Sequence, residues 1–214
     1  MRPFPKAILQ EFPEEFSLLK KLRTPAAIQD FLNQIPFNFG EEGQTYHSPA
    51  VVLKLKKAHC MEGAMLAAAA LWMHGQSPLL LDLKTTQKDV DHVVALFKEG
   101  NRWGAVSKTN HAVLRYRDPI YRDPREIVMS YFNEYFLDDG IKTLRSYSAP
   151  FDLSRWDDAW LTTPASLHDL ALALDEAPHI AIVDSIAARR LRRAEPIEIE
   201  AGKIVEWKKG MKRS

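Results

Sequence analysis

The sequence predicts an α+β domain in which a central helix bearing a cysteine packs on a small antiparallel sheet, with helical additions. From Cys60 to Gly75 the chain consists largely of strong helix formers, and its alanines permit close approach by a packed neighbour. Two apolar runs, 92–97 and 103–107, are separated by Lys-Glu-Gly-Asn-Arg, the pattern of a hairpin with glycine in its loop. A buried helix followed by paired strands is typical of a layered α+β core.

A helical lead is predicted ahead of this core, over residues 1–45. A short helix is expected at Phe16–Leu22. Thr24-Pro25 and Ser48-Pro49 each combine an N-cap residue with proline at the first helical position, which predicts two further helices.

The core itself is expected to span about residues 45–136. The apolar run 78–84 has the length of a strand and precedes the hairpin. Beyond the hairpin, 113–117 is predicted as a strand and 124–136 as a helix with proline near its start.

A C-terminal extension is expected over about residues 147–214, within a single domain that covers 1–214. Its predicted elements are a helix at 164–174 with Thr163 as the cap, and two short alternating strands at 197–200 and 203–207. No internal repeat and no linker between two cores is present in the sequence.

Composition argues against several classes of function. Twenty-nine basic and 28 acidic side chains nearly cancel, so that no global field favours nucleic acid or an anionic membrane as partner. The longest apolar run, 64–73, is much shorter than the ~20 residues needed to cross a bilayer. A single cysteine forms no internal disulfide, and the chain opens without the pattern of a secretion signal, so a cytoplasmic protein is expected.

Cys60 is the candidate nucleophile because it begins the predicted helix. The N-terminus of a helix lowers the pKa of a thiol through its dipole and its free N–H groups, and the same amides can bind an oxyanion. His92 opens a predicted strand 32 residues later, far enough for the chain to fold back onto the sulfur. The alternative is that Cys60 is a small buried hydrophobe and His92 a hydrogen-bonded strand end.

Three segments carry a resemblance to a known family. Ala58-His-Cys-Met-Glu-Gly-Ala, then Asp91-His-Val-Val-Ala-Leu-Phe and Trp103-Gly-Ala-Val-Ser, resemble the transglutaminase-like superfamily of the cysteine-peptidase-like fold. Members place Cys at a helix start, His on the next strand pair and Asp after a strand containing Trp. The similarity runs from about residue 59 to 110, and in a bacterial branch it extends to Tyr135-Phe136.

The resemblance implies that Cys60 is the nucleophile and His92 its general base. The superfamily's aspartate is replaced by Ser107, whose hydroxyl can orient an imidazole but brings no charge. Asn110, three residues further on, is the second candidate for orienting His92, as asparagine does in papain-like enzymes. The sequence alone leaves Ser107 and Asn110 as equal alternatives. Gln44 and Tyr46 are weaker candidates as oxyanion donors.

No cofactor or metal is expected. His59 and Glu62 flank the cysteine, but helical geometry does not bring residues 59, 60 and 62 together as ligands. The sequence contains no glycine-rich phosphate loop and no dinucleotide fingerprint.

The resulting hypothesis is a thiol hydrolase or acyl transferase that acts through Cys60 and His92 on an unidentified peptide, amide or ester substrate. Hydrolysis is favoured over crosslinking because a small single domain offers no second substrate module. The alternative is a catalytically silent member of the superfamily that serves as a binding module, with the missing aspartate as its signature.

Overall fold

A computed structural model describes residues 2–40 and 45–209, which form helices on both faces of one antiparallel sheet. The helices in these ranges are α1 Lys6–Glu11, α2 Pro13–Ser17, α3 Pro25–Gln34, α4 Pro49–Leu55, α5 Cys60–Met73, α6 Pro124–Tyr131, α7 His168–Asp175, α8 Ser185–Ala188 and α9 Pro196–Gly202. The strands are β1 Leu79–Lys84, β2 His92–Glu99, β3 Arg102–Ser107, β4 Arg117–Tyr121, β5 Ser146–Ser148, β6 Phe151–Asp152 and β7 His179–Ala181. The predicted α+β class is confirmed.

The sheet is built from the predicted hairpin outward. Its order is β4-β3-β2-β1-β5-β7, and β6 also pairs with β1 beside β5. All of these pairs are antiparallel. Because β5, β6 and β7 come from residues beyond 145, the segment predicted as a C-terminal extension contributes strands to the same sheet as the core.

Alternation along β2 divides the hydrophobic core between the two faces of the sheet. Val93, Ala95 and Phe97 belong to the cluster that surrounds α5. Val94 and Leu96 belong to a second cluster that packs against α6. Successive side chains of a strand point to opposite faces, so this eight-residue strand supports both layers.

Helix α5 lies in the centre of the larger cluster, and every residue from 61 to 72 is buried. A helix that is apolar all round is stable only when neighbours cover every side, and here α3, α4 and the sheet do so. No helix in the described ranges has the length and apolarity required of a membrane span.

Gly63 allows the chain beyond β3 to pass against α5. A Cβ added at Gly63 would lie 2.4 Å from the Cβ of Lys108, far inside van der Waals contact. Lys108 is itself buried, and its ammonium donates to the carbonyls of Leu32 (2.7 Å) and Ile35 (2.6 Å) at the end of α3. This contact fixes the position of the segment that follows Ser107.

The helix N-termini predicted from proline and cap residues are confirmed. The Thr24 hydroxyl accepts from the N–H of Ala27 at 3.2 Å, and the Ser48 hydroxyl accepts from that of Val51 at 3.4 Å. Proline occupies the first turn of both helices. At these two positions the local sequence was sufficient to predict where the helix begins.

The strands predicted at 197–200 and 203–207 are wrong. Residues 196–202 form α9, because Pro196 occupies its first turn and Glu198 accepts from the N–H of Glu195 at 2.6 Å, as in a capping box. Beyond α9, Val205 forms one isolated antiparallel bridge with His111. Two alternating apolar residues were too few to specify a strand.

Four other elements differ from the prediction. The helix expected at Phe16–Leu22 is instead α2, Pro13–Ser17, which begins at a proline and gives way to a turn after Ser17. The strand expected at 113–117 begins only at Arg117, because Leu114 has a left-handed φ of 60° that interrupts extended backbone. The helix expected from 124 to 136 ends at Tyr131 and continues as a 3₁₀ turn. The helix expected from 164 begins at His168, since Thr163 instead closes a turn with the N–H of Ala165.

We predict that Gly63→Ala destabilises the protein, although glycine to alanine normally favours a helix. The added methyl group overlaps Lys108, and overpacking of this kind costs about 1–3 kcal/mol. The free energy of unfolding in urea measures the effect. An unchanged or increased stability would contradict the close contact between α5 and the segment after β3.

Candidate active site

The N-terminus of α5 is capped in both directions by the residues beside Cys60. Nδ1 of His59, the N-cap residue, accepts from the N–H of Met61 at 3.3 Å, and the Glu62 carboxylate accepts from the N–H of His59 at 3.0 Å. The helix therefore begins at Cys60, as predicted, and is 14 residues long. The positive end of its dipole lies at the sulfur.

Glu62 is a fully buried carboxylate, a role that the sequence did not predict. Besides His59, it accepts from the Asn38 amide (3.0 Å), the Thr45 hydroxyl (2.9 Å) and the main-chain N–H of His47 (3.0 Å). Nδ1 of His47 also lies 2.8 Å from Glu62. The spacing of an N-cap residue and a Glu three positions later was the available signal, obscured because histidine is an unusual N-cap.

His92 and Ser107 are brought together by the register of the hairpin. Val94 pairs with Ser107, and His92 lies two residues before Val94, so His92 and Ser107 share one face as diagonal neighbours. Nε2 of His92 is 2.8 Å from Oγ of Ser107. The main chain of Ser107 is held in turn by the Gln29 side chain of α3, through bonds of 2.8 and 2.9 Å.

The hydrogen bonds of Ser107 determine the tautomer of His92. The single hydroxyl hydrogen of Ser107 is donated to the carbonyl of Leu114 at 2.6 Å, so toward His92 the hydroxyl acts as acceptor. Nε2 of His92 therefore carries a hydrogen, and in the neutral ring Nδ1 is left with its lone pair. Nδ1 is the nitrogen available to take the thiol proton of Cys60.

Asn110 is engaged elsewhere. Its amide donates to the carbonyl of Trp207 at 3.0 Å, and its Oδ1 accepts from the N–H of Trp207 at 2.8 Å. The N–H of Glu206 also donates to the carbonyl of Asn110 at 2.8 Å. Of the two alternatives for orienting His92, the structure therefore brings Ser107 to the imidazole, whereas Asn110 fastens the C-terminal segment beside the site.

Cys60 has an environment that favours the thiolate. Burial by itself raises the pKa of the thiol, but hydrogen bonds to His59 and His92, with the charges of the two imidazoles, outweigh it. The resulting pKa lies well below the ordinary value. A thiol with a depressed pKa remains nucleophilic at neutral and mildly acidic pH.

His59 contributes to this environment and was not predicted to do so. Burial lowers its pKa, but the hydrogen bond and charge of Cys60, the charge of Glu62 and the carbonyl of Thr45 raise it to about 9. Nε2 of His59 lies 2.6 Å from the Thr45 carbonyl, an acceptor, and so carries a hydrogen. In the charged ring Nδ1 also carries a hydrogen, so it no longer accepts from the N–H of Met61.

Two pockets meet at Cys60. Pocket A has a volume of about 770 Å³ and pocket B about 400 Å³. The residues that line both are Phe37, Cys60, Asp89, Val90 and Asp91. Cys60 therefore lies where the two pockets adjoin.

The two histidines face different pockets. His59 and Tyr46 line pocket A, and their rings form an edge contact with centroids 5.8 Å apart. His92 and Asn110 line pocket B. The other weak candidate for an oxyanion donor, Gln44, lies outside the described residues.

No protein-family model matches this sequence, and the comparison with curated proteins finds no match either.

We predict that Cys60 is alkylated rapidly well below pH 7. Because its pKa is depressed, the thiolate persists as pH falls below ~8.5, the value of an ordinary thiol, and is lost only at lower pH. His92→Ala should raise the midpoint of the profile of iodoacetamide alkylation against pH. His111→Ala, which changes a second histidine on the wall of pocket B, is the matched control and should leave the midpoint in place. A wild-type midpoint near 8.5 would refute an activated thiol.

We further predict that Glu62→Gln lowers the free energy of unfolding by roughly 3–5 kcal/mol, because it removes a buried charge from its partners and turns an amide N–H₂ toward donors. Urea denaturation measures this loss. Glu126→Gln is the control: Glu126 also occupies the third position of its helix and accepts from a main-chain N–H, but its side chain is 31% exposed, whereas that of Glu62 is fully buried. Similar losses in the two variants would argue against Glu62 as a structural centre.

Proposed function

We propose that this protein is a transglutaminase-like thiol hydrolase that cleaves an amide or ester bond through a covalent acyl intermediate on Cys60. The observation that carries the proposal is the chain of contacts from Cys60 to His92 to Ser107 at the junction of two pockets. A buried structural cysteine has no need of an oriented imidazole or of two adjoining pockets.

The architecture supports the assignment to a transglutaminase-like fold. In that superfamily the nucleophile begins a helix that packs on a sheet, and the histidine lies on the following strand pair. Here Cys60 begins α5, α5 packs on β2, and His92 is the first residue of β2. The departure is Ser107, which occupies the position of the aspartate.

The first half of the proposed reaction forms a thioester. The Cys60 proton passes to Nδ1 of His92, and the sulfur adds to the substrate carbonyl carbon while the carbonyl π electrons move onto oxygen. The first N–H groups of α5 have no acceptor within the helix and are suited to bind that oxyanion. Collapse of the adduct expels the amine or alcohol, which receives its proton from His92.

The second half releases the acid. His92 takes a proton from water, the hydroxide adds to the thioester carbonyl, and Cys60 leaves as thiolate. The two pockets suit these steps, since the acyl part and the departing part of the substrate lie on opposite sides of the scissile bond. Hydrolysis is favoured over protein crosslinking because water then accepts the acyl group, and no second protein substrate has to bind.

Ser107 gives this site a neutral orienting group. It holds the Nε2–H tautomer of His92 but contributes no negative charge when His92 becomes an imidazolium. The thiolate itself and the Glu62 carboxylate, linked through His59, supply the negative charge near the site. A slower enzyme than one with an aspartate at this position is expected.

The test is a screen of amides, peptides and esters with intact-protein mass spectrometry during turnover. We expect a covalent adduct on Cys60 whose mass is that of the acyl group, and its absence in Cys60→Ala. Ser107→Ala should lower kcat by about tenfold, the equivalent of one lost hydrogen bond. His92→Ala should lower kcat by about 10²–10⁴-fold.

His111→Ala is again the control and should retain activity. A protein that binds substrates without turnover or adduct, and whose Cys60→Ala variant binds equally well, would instead be a catalytically silent binding module.

A further inference from the structure

Pocket A has a strongly acidic lining. Four aspartates line it, and its lining within the described ranges includes no lysine or arginine. The aspartates are Asp82, Asp89, Asp91 and Asp175. Concave, partly apolar surroundings intensify such a field, so that a substrate group entering this pocket meets a negative potential.

Three of these carboxylates converge. One oxygen from each of Asp82, Asp91 and Asp175 lies within 4.8 Å of the others. They come from β1, from the residue just before β2 and from the end of α7. The fold therefore assembles the cluster from three separate segments.

Asp82 lacks a hydrogen-bond partner at one oxygen. Its side chain is only 4% exposed, and its Oδ2 lies 3.0 Å from Nε2 of His179. Its Oδ1 has no partner among the described residues. Burial and the charge of Asp91 raise the pKa of this carboxyl to about 6, despite the hydrogen bond from His179. A buried acceptor of this kind is costly unless a water or a ligand group donates to it.

The cluster already accommodates an ammonium group. Nζ of Lys84 donates to Oδ1 of Asp175 at 2.7 Å and to the carbonyl of the same residue at 2.8 Å. Asp91 uses its Oδ1 to accept from the N–H and the hydroxyl of Thr85. The oxygens that Lys84 and Thr85 leave free are acceptors for a second ammonium group. A divalent cation carries twice the charge, so Lys84 repels it more strongly, and it also needs more oxygen ligands.

We propose that the Asp82, Asp91 and Asp175 cluster binds a primary ammonium group of the substrate. The inference rests on the proposed function, because it places that group in the pocket that leads to the Cys60 sulfur. The substrate class is then an amide or ester with an aliphatic amine on one side of the scissile bond. The cluster provides charge recognition, and Cys60 with His92 provides the chemistry.

The experiment uses two matched series of chloroacetamides, in which Cys60 displaces chloride and forms a thioether. One series carries a terminal ammonium on a tether of two to six methylenes, and the other carries a methyl group of equal length. Both series react with the same thiol, so the ratio of the ammonium rate to the methyl rate at pH 7 is independent of thiol reactivity. We expect a ratio at least threefold above that of glutathione, with a maximum at one tether length.

Asp175→Asn should bring this ratio down to the glutathione value. Asp169→Asn, an exposed aspartate on the same helix outside pocket A, is the matched control and should leave it unchanged. A ratio that decreases steadily with tether length, or that is unaffected by Asp175→Asn, would overturn the subsite.

Calorimetry distinguishes a metal site from an ammonium site. Micromolar binding of Ca²⁺, Mg²⁺ or Mn²⁺ to the Cys60→Ala protein, lost in the added Asp175→Asn substitution, would assign the cluster to a metal and overturn the ammonium proposal. Failure of the proposed function gives a different result. If Cys60 is an ordinary thiol, the methyl series alone will alkylate it no faster than it alkylates glutathione, and the ratio of the ammonium rate to the methyl rate can still be measured.

Discussion

The buried carboxylate of Glu62 is the constraint on which the site depends. A charge removed from water is tolerable only when several donors surround it, and here the Asn38 amide, the Thr45 hydroxyl and two main-chain N–H groups do so. The same bonds fix the first turn of α5 and the segment before it. Because Cys60 lies within that turn, its sulfur and His59 are held in one arrangement before any substrate binds.

The second half of the site is built on the hairpin. Strand register alone makes His92 and Ser107 neighbours, and the bond from Ser107 to the Leu114 carbonyl leaves one tautomer for the imidazole. The Ser107 hydroxyl orients the imidazole but carries no charge. In the proposed reaction, the two functions of the acid in a catalytic triad, orientation and stabilisation of imidazolium, would therefore fall to different groups.

Much of the fold could be predicted because its signals are local. Thr24 and Ser48, each followed by proline, began helices as expected, and the glycine between two apolar runs marked the hairpin. Prediction failed where contacts distant in sequence decide. The segment after Ala194 alternates like a strand but forms α9, and Asn110 orients the C-terminal segment because Trp207 reaches it from 97 residues away.

The sequence by itself determined the helix that begins at Cys60, the hairpin that carries His92 and the α+β class, because helix formers and period-two alternation act over a few residues. The tertiary structure alone decided that Ser107 contacts His92, that Glu62 holds the helix start, and that aspartates from three segments share one pocket. These depend on strand register and on burial. Both are properties of the assembled chain, in which the cost of an unpaired buried group selects one arrangement of partners.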